Sequence, residues 1–186
     1  MARSAVGLDL SRGMLGPARA RGLRVVQGSL TDVPLPAESF DLVYSMKVLA
    51  HVPPIARAVA ELGRLCRPGG HLLLEFYNPL SLRYLAKLAA GPGKIAEATT
   101  ENDVFTRFDT LDRARSYLPP DLELVTVRGV RVVTPSSHVF AVPALARLFT
   151  WAERLACDAP VLRNLGGFLI LVARKRASVA RERAPA

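Results

Sequence analysis

Ser4-Ala-Val-Gly-Leu-Asp-Leu-Ser11 is the stretch from which the fold of this chain can be read. It is a short apolar run that ends in Asp9, and Ser11 can cap a helix that follows. Beyond it, the sequence patterns come in the order strand, helix, strand, strand, helix, strand. This order predicts an α/β protein in which helices cross over between the strands of a sheet.

Apolar runs bounded by turn residues set the predicted strands, which are residues 4–8, 23–27, 40–45, 71–77, 122–133 and 167–174. A helix that opens at Pro53-Pro54 is predicted to bury one face, formed by Ile55, Val59, Leu62 and Cys66. Two further helices are predicted at 79–90 and 110–118. Residues 91–108 lack a pattern and are predicted to form a mobile loop or lid.

One more helical stripe lies between the last two predicted strands. Its apolar residues are Leu145, Leu148, Phe149, Ala152 and Leu155. A stripe of this kind usually packs on the core of its own domain, and we expect that here. A face for a partner or for a membrane surface is the alternative.

Length and composition favour one globular domain. Half of the 186 residues are apolar, which is enough to bury a core; we expect one domain over 1–176 and a disordered basic tail over 177–186. No apolar stretch reaches the roughly 20 residues of a membrane-spanning helix, and no signal peptide pattern opens the chain. Cys66 and Cys157 fit neither a disulfide framework nor a metal site. We therefore expect a cytoplasmic protein with no transmembrane segment and no metal.

The distribution of charge argues against a nucleic-acid site. The formal net charge is +9, and residues 174–186 hold five basic side chains against Glu182. The remaining excess is scattered through the chain and is not gathered with aromatic residues, as it is at many nucleic-acid sites. We expect a solvated basic surface and no specific nucleic-acid partner.

Three stretches, in this order and spacing, carry a family resemblance. They are Val6-Gly-Leu-Asp-Leu-Ser11 with Met14-Leu15, then Gln27 to Pro36 running into Ser39-Phe-Asp-Leu-Val43 and Val48-Leu-Ala-His-Val52, and Glu61-Leu-Gly-Arg-Leu-Cys-Arg-Pro-Gly-Gly70. Together they resemble the class I methyltransferases that depend on S-adenosyl-L-methionine (SAM). Within that class the chain looks like the methyltransferase type 11 branch, which includes ubiquinone and menaquinone methyltransferase-like enzymes.

The resemblance implies a Rossmann-like sheet with helices on both faces and an antiparallel last strand. It also implies a first, central strand and a glycine-rich cofactor loop ahead of Ser4, and none of the 13 glycines occupies that place. We therefore expect a chain that is N-terminally truncated before the glycine-rich motif. A missing N-terminal segment or a partner chain would then complete the sheet.

The resemblance also assigns a cofactor role to one group of residues. In the family an acid at the position of Asp9 binds the ribose hydroxyls, and Met14 lines the adenine side. A helix cap for Asp9 and core packing for Met14 are the alternatives. The full set of cofactor-binding residues that the resemblance implies is Asp9, Leu10, Met14, Gly28, Ser29, Leu30 and Ser45.

A second group is expected at the acceptor side. His51 is the candidate general base, because imidazole exchanges protons near neutral pH; a structural role is the alternative. Candidate substrate-binding residues are Lys47, Tyr77, Asn78 and Arg107. The alternative for Lys47 is a solvated surface charge with no role in binding. Arg107 lies in an unpatterned segment, and the alternative for that segment is that its residues anchor the loop.

The predicted function is SAM-dependent methyl transfer to a small-molecule acceptor, impaired by the missing loop. A truncated, non-catalytic methyltransferase-like interaction module is the second hypothesis. A third, an NAD-linked Rossmann domain, shares Asp9 but leaves Phe40 to Val52 and Arg67 to Gly70 unexplained.

Overall fold

Strands and helices alternate along the part of the chain that the computed structural model describes, which is residues 4–90, 94–96, 99–100, 104–134 and 140–177. The strands are β1 (Gly7–Asp9), β2 (Val25–Gln27), β3 (Phe40–Ser45), β4 (Cys66–Tyr77), β5 (Lys94–Ala96), β6 (Thr99–Thr100), β7 (Leu122–Val130) and β8 (Phe168–Lys175). The helices are α1 (Arg12–Ala20), α2 (Ile55–Leu65), α3 (Leu82–Ala90), α4 (Leu111–Ser116) and α5 (Pro143–Ala156). The order confirms the predicted α/β class.

The main sheet has the strand order β3-β4-β8-β7. Strands β3 and β4 are parallel and are joined through α2, which is the expected crossover. Strand β8 runs antiparallel to both β4 and β7, so the antiparallel last strand is confirmed. Because β3 and β4 are parallel, their carboxyl ends, at Ser45 and Tyr77, meet at one edge of this sheet.

Strands β1 and β2 form a separate parallel pair. Among the described strands, β1 bonds to β2 alone and β3 bonds to β4 alone, so each of β1 and β3 has one edge with no strand beside it. Side chains join the two sheets, because Leu8 and Leu30 pack against the main hydrophobic core. The absence of a central strand and glycine-rich loop ahead of Ser4 stays a prediction.

One face of the main sheet carries the core. Alternate residues of β4 and β8 point into it and are fully or almost fully buried; they are Leu72, Leu74, Phe76, Leu169, Leu171 and Ala173. The predicted face of α2 packs onto them, with Ile55, Val59 and Leu62 each at most 4% exposed. Cys66 is also buried, but it begins β4 and is not part of the helix. On β3, Leu42 and Tyr44 are 52% and 67% exposed.

Three sequence expectations need correction. Strand β4 begins at Cys66 and not at His71, because Phe40 of β3 already pairs with Cys66 before the register shifts to Leu42 with His71. Gly69, with φ +80°, and Gly70, packed against the Cys66 sulfur, lie in the irregular part between these pairs. Within 91–108, predicted to have no pattern, β5 and β6 form an antiparallel pair. The stripe of α5 does not pack on the core, since Leu148 and Leu155 are 55% and 59% exposed.

Other boundaries agree with the sequence. Helix α4 lies inside the predicted 110–118, and its cap Thr110 accepts a hydrogen bond from the Arg113 amide at 3.4 Å. The predicted tail over 177–186 falls outside the described residues, except for its first residue. In the part of the chain that the structure describes, no helix is long and apolar enough to cross a bilayer.

An ion pair on α2 holds the loop that leads from β2 to β3. Glu61 accepts hydrogen bonds from the Val33 amide at 3.1 Å and from the Arg64 guanidinium at 2.9 Å. Arg64 in turn donates to the carbonyls of Val33 and Leu35. The Arg64 hydrogen bond lowers the pKa of Glu61. The loop is therefore fixed to the helix by charge-assisted bonds.

Candidate functional site

The carboxyl ends of β1 and β2 bring the first predicted group together. The Gly28 amide donates to the Asp9 carbonyl at 3.2 Å, so the residues after both strands are adjacent. Asp9 Oδ1 accepts the Ser11 amide at 2.8 Å, which orders the start of α1. The other carboxylate oxygen has no hydrogen-bond partner among the described residues. Asp9 thus anchors the turn with one oxygen and leaves the second without a partner among the described residues.

Gly28 fits this place because no larger residue would. A Cβ built there would lie 2.5 Å from Cδ of Pro34 and 3.0 Å from Cδ1 of Leu8. Next to it, the Ser29 hydroxyl lies 2.8 Å from the Thr31 hydroxyl and accepts the Thr31 amide at 3.2 Å. Leu30 is half-buried against the core. Ser29 and Leu30 are therefore held rigidly beside the end of β2.

Leu10 and Met14 lie on the exposed side of this edge. Their side chains are 71% and 65% exposed, so the alternative of core packing for Met14 is wrong. The Leu10 carbonyl accepts a hydrogen bond from the Gln27 amide group at 3.2 Å. Two large apolar side chains thus remain open to solvent within a few residues of Asp9.

The end of β3 carries a buried hydroxyl and a strained residue. Ser45 is 6% exposed and its Oγ has no hydrogen-bond partner among the described residues, an arrangement that costs about 1–3 kcal/mol unless a ligand or water satisfies it. Lys47 has φ +59°, a conformation that a lysine rarely adopts. Backbone strain of this kind is concentrated at functional sites.

Glu75 holds Lys47 in that conformation, and the sequence analysis missed it. The Lys47 amide donates to Glu75 Oε1 at 3.1 Å, and the Glu75 side chain is largely buried. Burial raises the pKa of the Glu75 carboxyl. The signal in the sequence was a single acid inside the apolar strand His71 to Tyr77.

A cavity of about 190 Å³ lies at the end of β4. Aromatic rings form part of its lining and contact one another, with centroids 4.5 Å apart for Tyr84 and Phe108 and 5.1 Å apart for Tyr77 and Phe168. The lining residues are His51, Tyr77, Asn78, Ser81, Arg83, Tyr84, Val104, Thr106, Phe108, Gly167 and Phe168. Its size and its aromatic character suit a small organic molecule.

His51 faces this cavity with one ring nitrogen already engaged. Its Nδ1 lies 2.9 Å from the Phe105 carbonyl oxygen, which can only accept. We therefore assign the proton of the neutral ring to Nδ1, which leaves Nε2 as an acceptor. The ring also packs edge-on against Tyr77, with centroids 5.7 Å apart.

Backbone hydrogen bonds hold the segment 104–109 over the cavity. The Arg107 amide donates to the Ala50 carbonyl and the Asp109 amide donates to the Tyr77 carbonyl, both at 2.8 Å. The Arg107 guanidinium donates to the Pro53 carbonyl at 2.8 Å and is not among the lining groups. The structure therefore gives Arg107 an anchoring contact.

Asn78 lines the cavity but its polar atoms bind the protein itself. Its Nδ2 donates to the carbonyls of Asn164 and Gly166, at 2.7 and 2.8 Å, and its Oδ1 accepts the Leu80 amide at 3.1 Å. The side chain is 1% exposed. Asn78 thus joins the end of β4 to the loop before β8 and shapes the cavity from behind.

The predicted residues therefore fall into separate groups. His51, Tyr77 and Asn78 share the cavity, whereas the group around Asp9 lies on the β1–β2 sheet. Ser45 and Lys47 lie at the end of β3, beside Glu75. Across the described ranges, no cluster of His, Cys, Asp and Glu could hold a metal ion.

Comparison with known proteins gives these features a family. The profile of the methyltransferase domain family matches residues 1–74. A trans-aconitate 2-methyltransferase from Deinococcus radiodurans is 34% identical over 172 residues, which cover 87% of this chain and 63% of that protein. A protein from Encephalitozoon cuniculi that is named as a methyltransferase is 33% identical over 147 residues, covering 74% of this chain and 68% of its own.

The fold leads to the same family. The solved structure of a SAM-dependent methyltransferase from Mesorhizobium loti matches with a TM-score of 0.61 and 25% identity, over 94% of this chain and 81% of that one. The chain spans less than two thirds of the length of the Deinococcus relative. The NAD-linked alternative is wrong, because the family profile and the relatives named above are those of methyltransferases. The chain belongs to the class I SAM-dependent methyltransferases.

Proposed function

We propose that this chain binds SAM at the ends of β1, β2 and β3 and transfers its methyl group to a small-molecule acceptor in the aromatic cavity. The observation that carries the proposal is the buried Ser45 hydroxyl at the end of β3, which has no hydrogen-bond partner among the described residues. The free oxygen of Asp9 and the exposed Leu10 and Met14 also fit a nucleoside.

Each residue has a distinct task in this proposal. Asp9 accepts hydrogen bonds from the ribose hydroxyls, while Leu10 and Met14 cover the apolar faces of the base. Ser45 donates its hydroxyl to a polar group of the cofactor. SAM itself supplies a methyl group activated by a sulfonium. The protein contributes mainly position and the exclusion of water, which are large effects in displacement reactions.

The aromatic cavity is the proposed acceptor site. Tyr77, Tyr84 and Phe108 provide apolar walls for the acceptor, and His51 Nε2 accepts the proton that an acceptor hydroxyl or amine gives up. One relative is named for trans-aconitate. That name supports a small organic acceptor, and trans-aconitate itself is not proposed as the acceptor of this chain.

Calorimetry of SAM binding to the 186-residue chain tests the proposal. Asp9→Asn keeps an oxygen for the Ser11 amide but removes the charge, and we expect it to weaken SAM binding about tenfold. Asp112→Asn is the matched control, because Asp112 is an exposed acid on α4. Failure of folded protein to bind SAM would favour the non-catalytic interaction module.

A further inference from the structure

The aromatic cavity has an unbalanced charge. Among the described residues that line it, Arg83 is the one with a permanent charge, and none is acidic. His51 is the other described lining residue that can carry a positive charge, and its Nδ1 is directed to the Phe105 carbonyl. Any ligand in this cavity therefore meets aromatic walls and one guanidinium.

The position of Arg83 is fixed by packing and not by an ion pair. Its guanidinium carbon lies 5.0 Å from the centroid of the Phe168 ring. Its Cδ lies 3.3 Å from the place where a Cβ on Gly167 would be, so the stem packs along the Gly167 backbone. Arg83 has no hydrogen bond or ion pair within the described residues. Its five N–H donors therefore remain available to a ligand.

The surroundings of Arg83 do not neutralise it. Arg131 is close enough that the charge of Arg83 adds to burial in lowering the pKa of Arg131. The charge of Arg83 also acts to lower the pKa of Glu75, whose carboxylate already accepts the Lys47 amide. Arg83 and Arg131 both pack near Gly167, which lines the cavity, and two positive charges there favour an anion.

We propose that the cavity takes an acceptor with an apolar or aromatic body and a carboxylate, and that Arg83 pairs with the carboxylate. That the ligand receives a methyl group rests on the proposed function, whereas the pairing of Arg83 with a carboxylate does not. A guanidinium and a carboxylate match in geometry and form charge-assisted hydrogen bonds. Aromatic rings alone also favour cations, but the charge of Arg83 opposes a cationic ligand.

Titration of the chain with two small probes, in the absence of SAM, tests this directly. The probes are trans-cinnamate and trans-cinnamamide, which share one shape and differ in charge. NMR titration gives both the dissociation constants and the residues that respond. We expect cinnamate to bind about tenfold more tightly than cinnamamide, which is the size of one charge-assisted contact.

Variants separate Arg83 from the general basic charge of the protein. Arg83→Gln is expected to remove the preference for cinnamate, and Arg83→Lys to keep part of it because the charge is retained. Arg19→Gln is the control, since Arg19 is an exposed arginine on α1 and the substitution changes the net charge equally. Because Arg83 makes no hydrogen bond with the described residues, all variants are expected to unfold at the same temperature as the natural chain.

Three results would overturn the proposal: no binding of cinnamate at millimolar concentration, equal binding of the two probes, or an undiminished preference in Arg83→Gln. Cinnamylamine provides a fourth, because tighter binding of this cation would assign the cavity to amines. None of these titrations contains SAM. Failure of the chain to bind SAM would therefore refute the proposed function without affecting the assignment of the carboxylate site.

Discussion

Replacing Asn78 by alanine should destabilise the whole domain, and the size of the effect follows from its contacts. The side chain is 1% exposed and makes three hydrogen bonds to the backbone, two through Nδ2 and one through Oδ1. Each such bond contributes about 1 kcal/mol net. We therefore expect Asn78→Ala to lower the free energy of unfolding by about 3 kcal/mol. The carbonyls of Asn164 and Gly166 would lose these partners.

Urea unfolding followed by circular dichroism measures this loss. With a slope of about 2–3 kcal/mol per molar urea, the midpoint should fall by about 1–1.5 M. Asn164→Ala is the control, because its Nδ2 makes a single bond of 3.3 Å to Pro160, and its expected cost is below about 1 kcal/mol. A variant at Asn78 that stays within about 0.5 kcal/mol of the natural chain refutes the structural role. If it also lost affinity for cavity ligands, Asn78 would be ligand-facing.

Two further predictions concern the loop after β2. Gly28→Ala should cost at least about 1–3 kcal/mol in unfolding experiments, because its methyl group would meet Pro34 at 2.5 Å; an unchanged urea midpoint would show that the loop yields freely. Glu61→Gln should lower stability by about 1 kcal/mol at pH 7. Since the Arg64 bond lowers the pKa of Glu61 in the fold, its stabilisation is present above the unfolded pKa and is lost as the pH falls. The Glu61→Gln and natural chains should therefore begin to converge as the pH falls below the unfolded pKa of about 4, and should meet only below the lowered pKa of the fold; a constant difference down to pH 2 contradicts this.

Local patterns predicted the elements whose signal lies within a few residues. Strand β3 has the predicted bounds Phe40 to Ser45, and the apolar face of α2 is buried as its spacing indicated. The stripe of α5 shows where this reasoning ends. Periodicity indicates that one face of a helix is apolar, but whether another element covers that face depends on tertiary packing.

The site was predictable only where a residue type and its place on a strand end both carried information. Asp9 could be singled out in this way at the end of β1, whereas His51 lies in a short 3-10 helix and was singled out by its imidazole alone. Glu75 could not, because an isolated acid in an apolar strand has no spacing that indicates its partner Lys47, 28 positions earlier. Asn78 and Arg83 depend on contacts with the loop before β8, up to 88 positions away for Asn78.

The way in which segment 104–109 is held has a consequence for how specificity can change. Main-chain hydrogen bonds at Arg107 and Asp109 attach it to Ala50 and Tyr77, and these bonds do not depend on which side chains face the cavity. Val104 and Phe108 can therefore be exchanged while the wall stays in place. A lineage could move from one substrate to another through such exchanges without first losing its fold, and a library randomised at these two positions is the natural starting point for redesign.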